Sequence, residues 1–338
     1  MSETSARAEL IDDRGAAAVS DQFFRSRPFL DAEEETSEGT LATLRIEHQK
    51  GTLVAPILVR QIDGGPERDA ISPYGYPGLV ESEGDPGDVR RSLPAVAPPD
   101  VTRISPALDL REIDFSETGL VSLFLRHTLA DPPLTATTAR NVVQIADPAL
   151  PAKSRMSDRQ QIRKNLKRGY ELEIVPGAET TPAQRAGFLL AYEQTMVRTG
   201  AAQRYFFGAA YFDRLLEAER TWLALATAPD GAVAAASVAA ASDGFLHYYL
   251  SGSADSHLRD SPMKNVLATL CEFAAELSLP LNLGGGIAAG DRLEEFKRGF
   301  ANREEVWRTS EIVCDREVYE WLAADRDAAG FFPAYRAS

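Results

Sequence analysis

The chain has 338 residues, which corresponds to about two domains at roughly 150 residues each. Its 44% hydrophobic and 25% charged residues are typical of a folded globular protein and argue against a disordered, collagen-like or coiled-coil chain. The formal charge of −14, from 50 acidic and 36 basic residues, argues against a protein that covers a long stretch of nucleic acid, and no DNA partner is expected.

Neither a metal site nor a membrane segment is predicted. The two cysteines, Cys271 and Cys314, and the four histidines lack the spacing of zinc or redox motifs, so both cysteines are interpreted as buried thiols. Residues 1–14 contain no apolar stretch of a signal peptide, and no run approaches 18 apolar residues. We therefore expect no membrane span and a cytoplasmic location.

The first half of the chain is predicted to begin with a flexible tail over residues 1–14. Two alternating segments, 41–47 and 52–61, predict a hairpin that turns at Lys50-Gly51. The other predicted elements are a helix over 16–29, a solvated acidic loop over 33–35, a turn-rich aromatic loop over 72–78, a helix over 117–125, a strand over 141–145 and a linker over 147–154. Residues 83–104 are predicted to form either a surface loop or a helix around 88–93 flanked by loops.

The second half is more regular and opens with a basic helix over 157–168. Ser157 and Gln160 predict a capping box at its start, and Gly169 predicts its end. The remaining predicted helices cover 182–198, 208–219, 262–277, 291–299 and 317–324, and the strands cover 170–175, 222–228, 232–241, 245–251, 281–283 and 304–314. This order, with two hairpin turns, predicts an α+β domain around a mixed sheet rather than a doubly wound fold.

The segment 151–170 departs from the acidic remainder because it carries seven basic residues and one acid. On the predicted helix the basic side chains sweep one broad face, opposite Ile162 and Leu166. A solvated surface is the ordinary interpretation of such a run. Because no acid within the predicted helix lies at i±4 to neutralise them, the alternative is a site whose cations contact the phosphates of a polyanion. The candidates for this site are Arg159, Arg163, Lys164, Lys167 and Arg168.

A glycine-rich segment, Leu281-Asn-Leu-Gly-Gly-Gly286, lies between a predicted strand and a short helix. No βαβ unit precedes it, so a dinucleotide-binding fingerprint is discounted. Glycines after a strand more often let the backbone approach a ligand or splay two neighbouring strands. The candidate loop residues are Gly284, Gly285 and Gly286.

The helix after this loop carries Phe296 and Lys297. Phe296 shares a face with Leu293 and Phe300, so the residue pattern alone favours a core position for its ring. Lys297 then lies beside the glycine loop, where a cation could stabilise the oxyanion of a carbonyl under attack.

Three further residues are candidates for substrate binding. Arg198, in the last turn of a predicted helix, either complements the helix dipole or clamps a phosphate with two hydrogen bonds. Tyr205 follows in the same segment. Tyr248 and Tyr249 lie near the end of a central strand, where alternation sends at least one tyrosine to each face. We select Arg198, Tyr205 and Tyr249.

Together these segments resemble the Fem-like branch of the GNAT superfamily, which includes peptidoglycan bridge-forming aminoacyltransferases and relatives in peptide-antibiotic pathways. The resemblance covers residues 155–300 in the expected order, and the 72–78 loop resembles a loop of the family's N-terminal domain more weakly. The matching segments are Ile162-Arg-Lys-Asn-Leu-Lys-Arg-Gly169, Arg198 before its glycine, Tyr248-Tyr-Leu-Ser-Gly-Ser253, Ser261-Pro-Met-Lys264, Leu283-Gly-Gly-Gly286 and Phe296-Lys-Arg-Gly-Phe300.

The resemblance implies two tandem GNAT-like domains with a cleft between them, an acceptor-side domain over 15–150 and a donor-side domain over 151–338. It implies an enzyme that forms a peptide bond by moving an aminoacyl group from aminoacyl-tRNA, held only by its acceptor end, to the amine of a peptide or carrier-bound peptide. Lys297 with Phe296 would contact the donor and stabilise the transition state, and Arg198 would contact an acceptor phosphate. Tyr74 and Tyr76 of the 72–78 loop are assigned to substrate binding. The resemblance implies no metal or redox cofactor; aminoacyl-tRNA is a co-substrate, and a CoA thioester would be the co-substrate in the alternative described below.

The donor and the acceptor each leave alternatives open. In acetyl-CoA-dependent GNAT enzymes a Q/R-x-x-G-x-G/A loop cradles the pyrophosphate, whereas the segment 257–264 lacks glycine and has Asp260 where the anion would lie. An acyl-CoA-dependent N-acyltransferase is therefore the alternative, and a non-catalytic tandem GNAT binding module is the third hypothesis. The coiled-coil insertion of the bridge-forming members is not visible. The absence of a basic or amphipathic membrane-facing stretch favours a soluble acceptor, such as a peptide-antibiotic intermediate, over a lipid-linked one.

Overall fold

The computed structural model describes residues 6–49, 51–82, 108–130, 134–288, 290–324, 326 and 330–337. They form two compact units, the first drawn from Met1–Ser20, Phe24–Arg140 and Trp307–Ser338 and the second from Asp21–Phe23 and Asn141–Val306. This division differs from the predicted domain boundaries of 15–150 and 151–338. The C-terminal segment from Trp307 onward belongs to the first unit rather than to the predicted donor-side domain.

The first unit is built on a mixed sheet. Its strands are β1 (Arg7–Ile11), β2 (Thr40–His48), β3 (Gly51–Gln61), β4 (Arg68–Ile71), β5 (Val80–Glu81) and β7 (Ser122–Arg126), followed by the C-terminal part of β15 (Arg303–Val313). The order is β1-β2-β3-β4-β7-β15, with β5 paired to β3. A separate pair joins β6 (Leu108–Asp109) to β8 (Leu134–Thr135). The helices are α1 (Arg27–Thr36) and α7 (Arg316–Ala323).

The structure confirms the predicted hairpin and corrects three other predictions in this unit. β2 pairs antiparallel with β3 from Thr40–Val59 to His48–Gly51, as the two alternating segments predict. The predicted tail contains β1, because Ala8 packs into the core while the strand pairs with β2. The helix predicted over 16–29 begins only at Arg27, after two 3-10 turns. The helix predicted over 117–125 is a 3-10 turn followed by β7. The loop predicted over 83–104 lies outside the described residues.

The second unit is a six-stranded mixed sheet with helices on both faces. Its strands are β9 (Thr138–Ala146, from Asn141 onward), β10 (Glu171–Pro176), β11 (Thr221–Thr227), β12 (Val233–Ser242), β13 (Phe245–Ser253) and β14 (Leu281–Gly284), in the order β9-β14-β13-β12-β11-β10. β13 and β14 are parallel and the other neighbours antiparallel. The helices are α2 (Met156–Lys167), α3 (Pro182–Thr199), α4 (Ala209–Glu217), α5 (Met263–Glu276) and α6 (Arg292–Arg298).

The two faces of this sheet have separate cores. The face covered by α5 buries Val266, Leu267 and Leu270 against alternate residues of the strands, such as Leu246 and Leu281. The opposite face carries α3, whose backbone at Ala191 lies against Gly252 of β13. An alanine Cβ at Gly252 would lie 2.4 Å from that backbone, so glycine is what allows the helix to approach this closely. The predicted α+β fold is therefore confirmed in this unit.

Two irregularities in the central strands open the sheet near the glycine-rich segment. Val238 pairs with Leu250 and Ala239 with Tyr248, so Tyr249 is an extra, bulged residue on β13. β13 pairs with β14 only at Leu246–Leu281 and His247–Asn282, although β13 continues to Ser253. Beyond His247 the two strands therefore separate, and the glycine loop begins where this separation starts.

Candidate functional site

The glycine loop follows β14 directly and is held by side chains from three directions. The Gly284 N–H donates to Asn282 Oδ1 at 2.8 Å, and the Gly286 carbonyl accepts from Asn141 Nδ2 at 3.2 Å. The Gly285 carbonyl accepts from Lys297 Nζ at 2.7 Å. Gly284 has a φ of +75°, a left-handed conformation that glycine adopts without strain. A Cβ on Gly285 would lie 2.5 Å from Asn141 Nδ2, so a side chain there would displace the loop.

The end of the loop is fixed to α6 by two acidic residues. Asp291 caps α6 by accepting from Glu294 N–H at 2.7 Å, and its second oxygen accepts from the N–H groups of Ile287 at 2.7 Å and Ala288 at 3.0 Å. The buried Glu294 accepts from Gly290 N–H at 2.7 Å. These contacts place the next turn of α6, which carries Phe296 and Lys297, against the loop.

Lys297 is the buried cation of this site. Its side chain reaches the loop at Gly285, and the residue is only 8% exposed. Burial lowers the pKa of Lys297 to about 8, an effect that the nearby Asp291 carboxylate opposes. The pKa of this ammonium is therefore closer to neutral pH than that of an exposed lysine, and the group faces a backbone oxygen instead of water.

The half-buried Phe296 packs against the α5-face core, with its ring 5.9 Å from that of Phe300. This agrees with the core position that helical spacing favours. A direct contact with a donor stays a prediction.

A second polar pair supports the loop from the opposite face of the sheet, and the sequence analysis missed it. Asn282 Nδ2 lies 3.0 Å from His247 Nδ1, and both side chains are buried. Burial lowers the pKa of His247 to about 4, so the ring is neutral at pH 7. One polar residue inside the apolar run Leu281-Asn-Leu was the available signal for Asn282.

The basic helix α2 presents its cations to solvent. All five predicted residues are exposed, but they differ in their partners. Arg168 forms an ion pair with Asp260, and Arg159 donates to the Ser154 carbonyl. Within the part of the chain that the structure describes, Arg163, Lys164 and Lys167 form no ion pair or side-chain hydrogen bond.

Two details of the predicted α2 are wrong. Its N-cap is Arg155, without a side-chain cap hydrogen bond, so the predicted capping box of Ser157 and Gln160 does not form. Leu166 is 47% exposed rather than buried. The buried face is instead made by Asp158 and Asn165, because these polar side chains find partners on neighbouring elements.

The buried face of α2 packs on the start of α5. Asn165 Nδ2 lies 2.7 Å from Asn265 Oδ1 and 2.8 Å from the Asp260 carbonyl. Lys264 Nζ pairs with Asp158 at 2.8 Å. The Asp260 carboxylate, besides Arg168, accepts from the Tyr170 hydroxyl at 3.0 Å. The first turn of α5 is therefore surrounded by side chains of its own unit.

The other end of α2 touches α6. Arg155 Nη2 donates to the Glu295 carbonyl at 3.0 Å. A Cβ on Gly299 would lie 3.1 Å from Asp158 Oδ2. The basic helix and the helix that carries Lys297 are thus in direct contact.

Arg198 and Tyr205 are engaged within the second unit. Arg198 forms an ion pair with Asp255 and donates to Thr195 Oγ1 at 3.0 Å, so both partners hold it at the end of α3. The Tyr205 carbonyl accepts from the Tyr192 hydroxyl at 2.6 Å, and the Arg204 guanidinium lies 5.0 Å from the Tyr205 ring.

The bulged Tyr249 turns away from the α5 face, where Tyr248 packs. Its hydroxyl lies 3.3 Å from that of Tyr211, and its ring meets Phe23 edge to face at 5.6 Å. The strand alternation predicted for the two tyrosines is confirmed, although the bulge rather than a regular pleat sets it.

Tyr74 and Tyr76 belong to the first unit. Tyr74 N–H donates to the buried Glu33 carboxylate at 2.5 Å, which corrects the prediction of a solvated loop over 33–35. The Tyr76 ring contacts Phe24 at 5.5 Å and Trp307 at 5.9 Å. Gly75 has a φ of +103°, and a Cβ there would meet the Phe24 ring at 2.4 Å, so this loop depends on glycine.

The structure thus brings together Lys297, Phe296 and the three loop glycines, with α2 in contact with the same helix. No group of three or more His, Cys, Asp or Glu side chains that could hold a metal occurs among the described residues. No helix within the described ranges is both long and apolar enough to cross a bilayer.

Comparison with known families identifies the domain that carries this site. Residues 152–298 match the family model described as an acetyltransferase (GNAT) domain. The matched segment contains α2, the glycine loop and Lys297. No curated protein sequence matches the chain significantly.

Solved structures share the fold of this chain at low sequence identity. FemX has a TM-score of 0.56 at 10% identity, covering 91% of this chain and 96% of its own. The C-terminal domain of a protein described as a lysylphosphatidylglycerol synthetase from Agrobacterium fabrum has a TM-score of 0.53 at 14% identity, covering 88% and 90%. L-PGS from Bacillus licheniformis has a TM-score of 0.51 at 12% identity, covering 84% and 87%. The expected likeness to Fem-type GNAT transferases is confirmed at the level of the fold.

Proposed function

We propose that this protein is an aminoacyltransferase that moves an aminoacyl group from aminoacyl-tRNA to the amine of a peptide-like acceptor. The observation that carries the proposal is the start of α5, where the acyl-CoA-dependent alternative needs an anion site. Asp260 stands there, bound by Arg168 and Tyr170, and Asn165 of α2 covers the first turn. A pyrophosphate would meet a carboxylate at that place instead of free backbone N–H groups.

The cations of α2 support a polyanionic donor. Arg163, Lys164 and Lys167 are exposed, and no described residue forms an ion pair with them, while the chain as a whole carries a charge of −14. Cations that lack internal partners gain most from contact with phosphate, since bound counterions are released. Because α2 and α6 are in contact, phosphates near the tRNA acceptor end could bind α2 while the aminoacyl ester lies at the glycine loop beside Lys297.

The chemistry needs no nucleophilic side chain, because the ester of an aminoacyl-tRNA is already activated. The acceptor amine attacks the ester carbon, a C–N bond forms, and the carbonyl electron pair moves to oxygen. When the oxyanion collapses, the C–O bond to the terminal ribose breaks and the proton of the amine ends on the ribose oxygen. The enzyme contributes positioning and the positive field of Lys297 beside the glycine loop.

The acceptor side is assigned to residues outside the Lys297 cluster. We propose that Arg198, Tyr205 and Tyr249 contribute to binding of the peptide or of a phosphate attached to it. The assignment of Tyr74 and Tyr76, which belong to the first unit, to substrate binding stays a prediction. Lysylphosphatidylglycerol, after which a structural neighbour is named, is itself an aminoacylated molecule, which supports aminoacyl transfer as the reaction class. A cell-wall peptide and a peptide-antibiotic intermediate are the two acceptor classes, and a cytoplasmic location stays a prediction.

A second candidate is an acyl-CoA-dependent N-acyltransferase. The observation that favours it is the family match itself, since the matching domain is described as an acetyltransferase domain. It predicts saturable binding of acetyl-CoA by calorimetry. The proposed aminoacyltransferase predicts no heat of binding with acetyl-CoA.

Transfer from charged tRNA tests the proposal directly. Bulk tRNA charged with labelled amino acids is incubated with the protein and a panel of amine-bearing peptides, and labelled amide product is measured. We expect product that disappears when the donor is treated with RNase before addition, and that is lost in Lys297→Met. Product formation that survives RNase treatment would contradict the proposal, as would turnover with acetyl-CoA alone.

A further inference from the structure

The backbone of the glycine loop contains polar groups that the contacts above leave unused. Side chains occupy the Gly284 N–H, the Gly285 and Gly286 carbonyls and the Gly290 N–H. In contrast, the N–H groups of Gly285 and Gly286 donate no hydrogen bond to any residue that the structure describes. Gly286 is partly exposed, so its N–H is not sealed inside the core.

The direction of the Gly286 N–H follows from Lys297. The Gly285–Gly286 peptide bond is trans, because the only cis bond in the described chain is Phe332–Pro333. In a planar trans peptide the carbonyl and the following N–H point in opposite directions. Since Lys297 Nζ lies 2.7 Å from the Gly285 carbonyl oxygen, the Gly286 N–H points away from the ammonium.

The same contact makes this N–H a stronger donor. A cation on the carbonyl oxygen draws electron density from the peptide nitrogen, and hydrogen bonds in series polarise one another. Asp291, the carboxylate near Gly286, already accepts from Ile287, Ala288 and Glu294. The negative charge of Asp291 is therefore stabilised by those three backbone N–H groups and partly balanced by the positive charge of Lys297.

We propose that the Gly286 N–H is the donor that contacts the developing oxyanion, and that Lys297 acts through the Gly285–Gly286 peptide bond as a positioning residue. The 8% exposure of Lys297 fits this arrangement, because a substrate carbonyl reaches the open side of the peptide more readily than the buried ammonium. The inference deepens the proposed aminoacyl transfer and rests on it.

Replacing the Gly286 amide by an ester removes the donor without adding a side chain. Glycolic acid is introduced at position 286 by nonsense suppression, and the matched control carries it at Gly231, whose N–H donates to the Ala228 carbonyl at 2.8 Å in the turn between β11 and β12. We expect kcat with charged tRNA to fall about 100- to 1,000-fold in the Gly286 ester, with KM for the donor changed less than about twofold. The Gly231 ester, which lies outside the site, should retain kcat within about threefold. Equal losses in both esters, or an unchanged Gly286 ester, would overturn the proposal.

An amide spectrum tests the coupling without any substrate. With glycine labelled by ¹⁵N, the Gly286 amide signal of the whole protein should shift with a midpoint near pH 8, following Lys297. This shift should vanish in Lys297→Met, and the Gly290 signal should not show it in either protein. A Gly286 signal with the same pH dependence in wild type and in Lys297→Met would refute the inference even if aminoacyl transfer is confirmed. If wild-type protein transfers no aminoacyl group, the proposed function fails, and the Gly286 coupling is still decided by this measurement.

Discussion

At the residue scale, burial of Lys297 lowers the stability of the folded protein but places a charged group beside the glycine loop. Among the residues that the structure describes, its ammonium has one oxygen partner, the Gly285 carbonyl, and the residue has little contact with water. Removing a cation from water costs free energy that a single neutral carbonyl does not fully return. The lowered pKa of Lys297 expresses this cost, and a purely structural residue at this position would be apolar.

Lys297→Met should therefore remove activity without removing stability. The folded-state pKa of about 8 lies below the ordinary 10.5, so the unfolded chain binds more protons between these values and wild-type stability rises with pH across them. We expect Lys297→Met to be at least as stable as wild type at pH 7. Its advantage should shrink by up to about 3 kcal/mol as the pH rises from 8 toward 10.5, at 1.36 kcal/mol per pKa unit.

Urea unfolding of both proteins at pH 7, 8, 9 and 10 measures this difference. Lys164→Met, at an exposed position on α2, is the control and should show no pH-dependent difference from wild type. A Lys297→Met variant that is much less stable at pH 7 would assign the lysine a structural role.

At the element scale, the sequence predicted the second unit well, because its helices and strands follow regular periodicity. The predicted strands at 222–228, 232–241 and 245–251 correspond to β11, β12 and β13 within two residues. The predicted helix at 117–125 was wrong because Ser122–Arg126 packs between β4 and β15, so tertiary pairing decided its conformation. The capping box failed for a similar reason: Asp158 and Asn165 bind neighbouring elements, and α2 starts where they require.

The approach of α3 to β13 gives a packing prediction. Gly252→Ala places a Cβ 2.4 Å from the Ala191 backbone, which cannot move like a flexible side chain. We expect a loss of about 1–3 kcal/mol in the free energy of unfolding, as for other overpacked sites. Gly208→Ala, where a Cβ meets nothing within 4 Å, should change it by less than about 1 kcal/mol. Equal stabilities of the two variants in urea unfolding would contradict this account.

A buried carboxylate fastens the C-terminal segment to the first unit. Asp69 is fully buried and accepts from Arg60 Nε at 2.9 Å and from Arg336 Nη2 at 3.1 Å. Asp69→Asn leaves two guanidinium groups without their counter-charge, and we expect a loss of about 3–5 kcal/mol in urea unfolding. Arg111→Gln, which breaks the exposed pair with Asp109, should leave the unfolding curve unchanged. A tolerated Asp69→Asn would show that neutral hydrogen bonds suffice there.

At the scale of the whole molecule, the net charge of −14 is informative only when it is divided by segment. Spread over both units, it keeps polyanions off most of the surface. Three cations of α2, which pair with no residue in the described part of the chain, interrupt this negative surface, and they lie within the segment that matches the acetyltransferase (GNAT) family model. The structure reduced the predicted basic site from five residues to these three, because Arg168 and Arg159 are already engaged.

Three phosphate contacts imply a shallow salt dependence of tRNA binding. We expect log K against log[salt] to have a slope of about −2 to −3, at 0.7 to 0.9 per contact. Lys164→Gln or Lys167→Gln should reduce the slope by about 1. Arg316→Gln, an exposed cation of the first unit, changes the net charge equally and should leave the slope unchanged. A much steeper slope, corresponding to many phosphate contacts, would mean that the tRNA also contacts basic residues outside α2.

The sequence by itself determined the α+β class, the basic helix, the glycine loop and Lys297 beside it, because these depend on local periodicity, turn residues and the order of motifs. It did not determine which cations remain free, that Asn282 and His247 support the loop, or that residues 307–338 join the first unit. Apart from the contact of Arg159 with the nearby Ser154 carbonyl, those properties depend on partners more than thirty residues away along the chain, such as Asp260 for Arg168 and Asn282 for His247. The periodicity of helices and strands can be recognised in the sequence, whereas contacts between residues far apart in the chain form only on folding. These contacts decide which polar groups are paired and which are available to bind a substrate.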